Sequence, residues 1–128
     1  MPGGRILIVD DEATLLKMMG LYLGRLGYSV MTANTTEKGW AEVEKAPEEI
    51  AVAVLDATMP GIPLQELAQK ILAANPRICV LAASGYPVDV SGLAAHAPGR
   101  VEFLQKPFTP EMLAKAVRRM LGPEKEVV

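Results

Sequence analysis

The sequence holds one cysteine, Cys79, and one histidine, His96. A lone thiol closes no disulfide within the chain, and a histidine with no second His or Cys nearby is a poor metal centre. Cys79 lies in the apolar run Ile78-Cys79-Val80-Leu81 and reads as a reduced core residue. Aromatic residues make up only 5% of the chain, so its apolar half is mainly Leu, Val, Ile, Ala and Met. No apolar stretch approaches the roughly 20 residues that a membrane-spanning helix needs. Met1-Pro2-Gly3-Gly4-Arg5 supplies no apolar secretory segment before Ile6. A soluble, cytoplasmic protein is the expectation. The formal charge of −2 gives no general pull toward nucleic acid or an anionic membrane. There is no Walker loop and no glycine-rich dinucleotide fingerprint. Nor is there a repeat, linker or low-complexity segment. At 128 residues the chain is expected to be a single domain, with a core from about residue 5 to residue 121.

What is present centres on Val52-Ala53-Val54-Leu55-Asp56, followed at once by Ala57-Thr58-Met59-Pro60-Gly61. An unbroken apolar run reads as a strand covered on both faces, and Asp56 stands at its carboxyl end. Open α/β sheets bind their ligands at that edge. Arg5 to Val9 predicts a first strand ending on Asp10-Asp11-Glu12. A helix follows, with Leu15, Met18, Met19, Tyr22 and Leu26 as its apolar stripe and Gly27 as its stop. Tyr28 to Ala33 reads as a second strand. Thr35 or Thr36 caps a helix that carries a half-buried Trp40 and Val43, and Pro47 stops it. Ile50 to Leu55 is the central strand. Pro63 suits the first turn of a helix whose stripe is Leu64, Leu67, Ala68, Ile71 and Leu72. Asn75-Pro76 breaks that helix, and Ile78 to Ala83 is a fourth strand ending on Ser84. Tyr86 to Arg100 leaves room only for a short helix near Val90 to His96. Val101 to Leu104 is a fifth strand, ending on Lys106-Pro107. Thr109-Pro110-Glu111 opens a last helix burying Leu113, Val117 and Met120, ended by Gly122-Pro123. Lys115, Arg118 and Arg119 read as its solvated face.

Strands alternating with helices call for a doubly wound α/β fold, a parallel sheet with helices on both faces. All strand ends then lie on one edge, which collects Asp10, Asp11, Asp56, Ser84 and Lys106. Clustered carboxylates repel one another unless one takes a proton or a cation offsets the charge. Hard oxygen ligands in a partly hydrated site favour Mg²⁺. An aspartate can attack phosphorus and form an acyl phosphate, with an ammonium and a hydroxyl beside the transferring group.

Asp10-Asp11 after the first strand, Asp56 with Met59-Pro60, Ser84 after the fourth and Lys106-Pro107 after the fifth resemble the receiver domain of two-component response regulators. The resemblance runs from about Arg5 to Leu121. It implies a flavodoxin-like five-stranded sheet in the order 2-1-3-4-5, the order already known for receivers. It further implies that Asp56 accepts phosphate from a histidine kinase or phosphotransfer protein. Asp10, Asp11, Asp56 and the Thr58 backbone carbonyl would hold Mg²⁺, and Lys106, preceding a cis proline, would pair with the phosphoryl group. Ser84 and Phe103 would be the switch pair, and an output partner would meet helix 4, strand 5 and helix 5. The protein would be a monomer or a phosphorylation-linked dimer. Thr58 and Tyr86 would flank the path of water to the phosphate. Two features depart from the family pattern. Pro63-Leu64 stands where a small or acidic residue and glycine are usual, and Phe103 lacks the hydroxyl of a switch tyrosine. Ser84-Gly85-Tyr86-Pro87 is similar to receivers attached to hybrid sensor kinases. Two other readings stay open. One is a non-phosphorylated docking module of the same fold. The other is an aspartyl-phosphate phosphohydrolase, which would want an acid where Thr58 stands.

Overall fold

The structure is a computed structural model and describes residues 4–122. Met1 to Gly3 and Pro123, half of the expected Gly122-Pro123 stop, lie outside the described residues. The strands are β1 (Arg5–Val9), β2 (Ser29–Ala33), β3 (Ile50–Asp56), β4 (Cys79–Ser84) and β5 (Val101–Gln105). Between and after them run α1 (Ala13–Arg25), α2 (Thr36–Lys45), α3 (Leu64–Ala74), α4 (Ser91–His96) and α5 (Pro110–Leu121), with one 3₁₀ turn at Pro47–Glu49. The sheet is parallel throughout, in the order β2-β1-β3-β4-β5.

The central strands are apolar on both faces because each face carries its own core. Leu7, Val9, Ala53, Leu55 and Val80 point to one side, where Val43, Leu67, Ile71 and Leu93 pack on them. Ile6, Ile8, Val52, Val54, Cys79 and Leu81 point to the other, beneath Met19, Leu23, Leu113 and Val117. The pleat's period of two thus sorts one continuous apolar run into two layers. Each fully buried Leu or Ile contributes about 1.5–3 kcal/mol by leaving water. Cys79 is a buried thiol under α5, its Sγ donating to the Met120 carbonyl at 3.7 Å.

Two of the five helices, α2 and α5, begin on a side-chain cap. Thr35, not Thr36, caps α2, accepting the Lys38 N–H at 3.0 Å, and Thr109 caps α5 through the Met112 N–H at 3.1 Å. Trp40 is half-buried, with the Lys70 ammonium 5.4 Å from its ring centre. Two expectations need correction. In α1 the buried residues are Leu16, Met19 and Leu23, while Met18 and Leu26 are 42% and 47% exposed. Leu26 follows the last helical residue, and Leu15 and Tyr22 only border the core. Pro63 is not in the first turn of α3 but one residue before it, extended at φ −60°, ψ 150°.

At the amino-terminal rim of the sheet, Arg100 ties several segments together. Its guanidinium donates to the carbonyls of Ile78 (2.9 Å), Leu72 (2.9 Å) and Asn75 (2.8 Å). Its own carbonyl accepts from Val80 N–H at 2.7 Å.

Candidate functional site

The opposite rim is built by ladder hydrogen bonds that continue past the strand ends. Asp10 N–H donates to the Ala33 carbonyl (3.1 Å), Ala57 N–H to Ala83 (2.8 Å) and Lys106 N–H to Ser84 (2.8 Å). Residues remote in sequence are therefore held side by side by the backbone before any side chain makes contact. The Lys106-Pro107 peptide is cis.

Side-chain geometry then closes the site. Carboxylate oxygens of Asp10, Asp11 and Asp56 all lie within 4.8 Å of one another. Asp10 and Asp56 are buried, and Asp11 is exposed. Lys106 Nζ lies 3.1 Å from Asp10 Oδ2, 3.3 Å from Glu12 Oε1 and 3.5 Å from Asp56 Oδ2. Asp10 Oδ1 accepts the Glu12 N–H at 2.8 Å, which fixes the turn into α1. Asp56 Oδ1 accepts both the backbone N–H (3.0 Å) and the hydroxyl (2.9 Å) of Thr58. Glu12, which drew no role from the sequence, thus joins the group; its place two residues after Asp10 was the available signal.

The charges do not balance. Four carboxylates, those of Asp10, Asp11, Glu12 and Asp56, face one ammonium. Burial pushes the Asp10 carboxyl above its ordinary value. The Glu12 N–H and the Lys106 ammonium oppose that shift, and the Asp56 charge adds to it. For Lys106, burial alone would lower the ammonium's pKa. The hydrogen bond and charge of Asp10, with Asp56 and Glu12, outweigh burial and raise it. Lys106 is therefore a fixed cation in a rim that remains short of positive charge.

Ser84 is buried, and its Oγ accepts the Tyr86 N–H at 3.0 Å, leaving its own proton to donate elsewhere. Tyr86 is 72% exposed. Phe103 is partly buried in β5, in register with Ala82. His96 is exposed at the end of α4. An open cavity of about 590 Å³ adjoins the rim, walled by Glu12, Leu15, Tyr86, Lys106, Pro107 and Phe108.

The family model described as response regulator receiver domain matches residues 6–118. The chain belongs to that family. This receiver domain is 35% identical, over 96% of its length, to the phosphate regulon transcriptional regulatory protein PhoB of Pseudomonas aeruginosa, and spans 55% of that protein. It is 29% identical to chemotaxis protein CheY1 of Helicobacter pylori, covering 92% of this chain and 97% of that one. Among solved structures, the receiver domain of the hybrid histidine kinase CckA superposes with a TM-score of 0.79 at 29% identity. That match covers 93% of this chain and all of the other. The chain spans only about half, or a quarter, of the transcriptional regulators it matches. The five-stranded parallel sheet of order 2-1-3-4-5 is the fold the resemblance implied. The donor set at the rim, oxygen only and net negative, suits a hard divalent cation such as Mg²⁺. Among the described residues no helix is long and apolar enough to cross a membrane.

Proposed function

We propose that this receiver domain takes a phosphoryl group onto Asp56 from the phosphohistidine of a histidine kinase or phosphotransfer protein. The observation that carries the reading is the convergence on one rim of Asp10, Asp11 and Asp56 with the Lys106 ammonium, 3.5 Å from Asp56 Oδ2. An Asp56 carboxylate oxygen attacks phosphorus as the phosphorus–nitrogen bond of the donor breaks, and the electron pair returns to the imidazole. Lys106 is already in place to meet charge on the phosphoryl oxygens, and the free Ser84 hydroxyl proton is available to a second one. Asp10, Asp11, Asp56 and the Thr58 carbonyl would hold Mg²⁺, which would supply the remaining positive charge. Everything else falls to the chain: buried carboxylates oriented by the Glu12 and Thr58 N–H groups, and an ammonium fixed among them. Acceptance is self-catalysed, and the domain turns over no separate substrate. Residues 5–121 make up the whole switching unit, and it works in the cytoplasm. Phosphorylation draws in Ser84, lets Phe103 move and alters the face formed by α4, β5 and α5, where an output partner binds.

The test is incubation with Mg²⁺ and acetyl phosphate, read by intact mass. One phosphoryl addition is expected, absent without the cation and absent from Asp56→Asn. No addition to the natural protein, or an unchanged addition to Asp56→Asn, overturns the reading.

A further inference from the structure

Thr36 is the first residue of α2, only 2% exposed, and its hydroxyl is not used to cap its own helix. Instead Thr36 Oγ1 accepts the Ile62 N–H at 2.9 Å, across 26 residues of sequence. Its single proton has the Pro60 carbonyl at 3.4 Å and Glu37 Oε1 at 3.1 Å as acceptors. The turn wraps the hydroxyl closely. Gly61 takes φ +99°, and a Cβ there would lie 2.4 Å from Thr36 Oγ1 and 2.8 Å from Glu37 Oε2. That turn belongs to the loop joining Asp56 to α3, and Thr58 stands in the same loop.

The other end of the strut bears on β1. At Gly39 in α2 a Cβ would lie 2.7 Å from Val9 Cγ2, and Val9 directly precedes Asp10. Thus the first turn of α2 rests on the strand that delivers Asp10 and Asp11 and grips the loop that follows Asp56. Asp11, Glu37, Met59 and Gly61 share a cavity of about 220 Å³ at this junction. A side chain in this place holds two ligand-bearing segments in register without touching a ligand.

We propose that Thr36 is a positioning residue of the phosphoacceptor site. Its hydroxyl fixes the Pro60–Ile62 turn, and so sets where the Thr58 carbonyl lies relative to the Asp10 and Asp11 carboxylates. The inference rests on the cation-dependent receiver reading above. Residues that only orient ligands commonly govern metal affinity about tenfold or more. Thr36→Val keeps the shape and removes the hydroxyl, Thr36→Ser keeps the hydroxyl, and Gly61→Ala disturbs the same contact from the other side.

The experiment is calorimetric Mg²⁺ titration of the four proteins without phosphodonor, beside amide exchange at Ile62 and thermal unfolding. Thr36→Val and Gly61→Ala are expected to bind Mg²⁺ about tenfold more weakly, and Thr36→Ser to restore near-natural affinity. Ile62 N–H is expected to lose protection in Thr36→Val while the protein still unfolds cooperatively. Natural affinity in both Thr36→Val and Gly61→Ala overturns the inference, as does equal weakening in Thr36→Ser. If one disruptive variant does not fold, the other decides. A natural protein that neither binds Mg²⁺ nor gains phosphate overturns the receiver reading itself, a result distinct from these.

Discussion

Lys106 reaches across β4 to lie 3.1 Å from Asp10 Oδ2 and 3.5 Å from Asp56 Oδ2, joining the ends of β5, β1 and β3. Its ammonium is the one cation within salt-bridge distance of those two buried carboxylates among the contacts described. It offsets part of the rim's negative charge and, in the proposed reaction, would stand where charge develops when phosphorus is attacked.

Lys106→Met separates the two duties. Phosphate uptake from acetyl phosphate is expected to slow about a hundredfold, the scale of losing one oriented donor of positive charge. Mg²⁺ affinity is expected not to fall, because the ammonium is no ligand and its charge opposes that of the ion. Uptake at the natural rate, followed by intact mass over time, would remove Lys106 from the reaction.

Asp10→Asn tests the cost of the buried acid. Because the folded-state pKa of Asp10 is raised, the folded protein binds a proton there more readily than the unfolded chain. At neutral pH the charged group therefore subtracts from stability, and the deficit fades as pH falls through the raised value. Without divalent cation the variant is expected to be more stable at pH 7, with the advantage shrinking in acid. Its Mg²⁺ affinity is expected to drop about tenfold or more. A variant less stable than the natural protein in metal-free thermal unfolding at pH 7 would show that hydrogen bonding, not burial, governs this carboxyl.

Gly39→Ala sets two opposed effects against each other. A helix interior gains about 1 kcal/mol from that exchange, while overpacking a tight contact costs about 1–3 kcal/mol. With Val9 Cγ2 only 2.7 Å from the new Cβ, a net loss of about 1 kcal/mol is expected from urea unfolding. In a Val9→Ala background, where the obstructing methyls are gone, the same change is expected to stabilise. Simple additivity of the two substitutions would show that α2 shifts freely on β1.

The alternation of strands and helices, and the polar residue closing each of four strands, were legible in the sequence because both are local. Ile50 to Leu55 could be read as a central strand because its apolar run leaves no polar face for water. The buried stripe of α1 was not legible. Ala13-Thr14-Leu15-Leu16-Lys17-Met18-Met19-Gly20-Leu21-Tyr22-Leu23 is apolar around most of its circumference, so periodicity alone does not choose between Leu16 and Met18. Packing against β1 and α5 makes that choice. The Glu12–Lys106 ion pair and the Thr36–Ile62 hydrogen bond were hidden for a related reason. Each joins segments whose approach depends on strand register, and a threonine beside a second threonine gives no sign of which one caps the helix and which reaches across to the next loop.

Arg100 gives the rim opposite Asp56 a different mechanical character. Three carbonyls from the end of α3 and the approach to β4 converge on one planar cation at the entry to β5. Displacing any of them costs a charge-assisted hydrogen bond to a part-buried carbonyl, so that edge behaves as a clamp. Short α4 is joined to the clamp at its carboxyl end and to the open Tyr86–Val90 stretch at its other end. If Asp56 takes a phosphoryl group as proposed, α4 is expected to stay anchored at its Arg100 end and to move at its Tyr86–Val90 end, so the course of the signal would be set at the rim where no chemistry occurs.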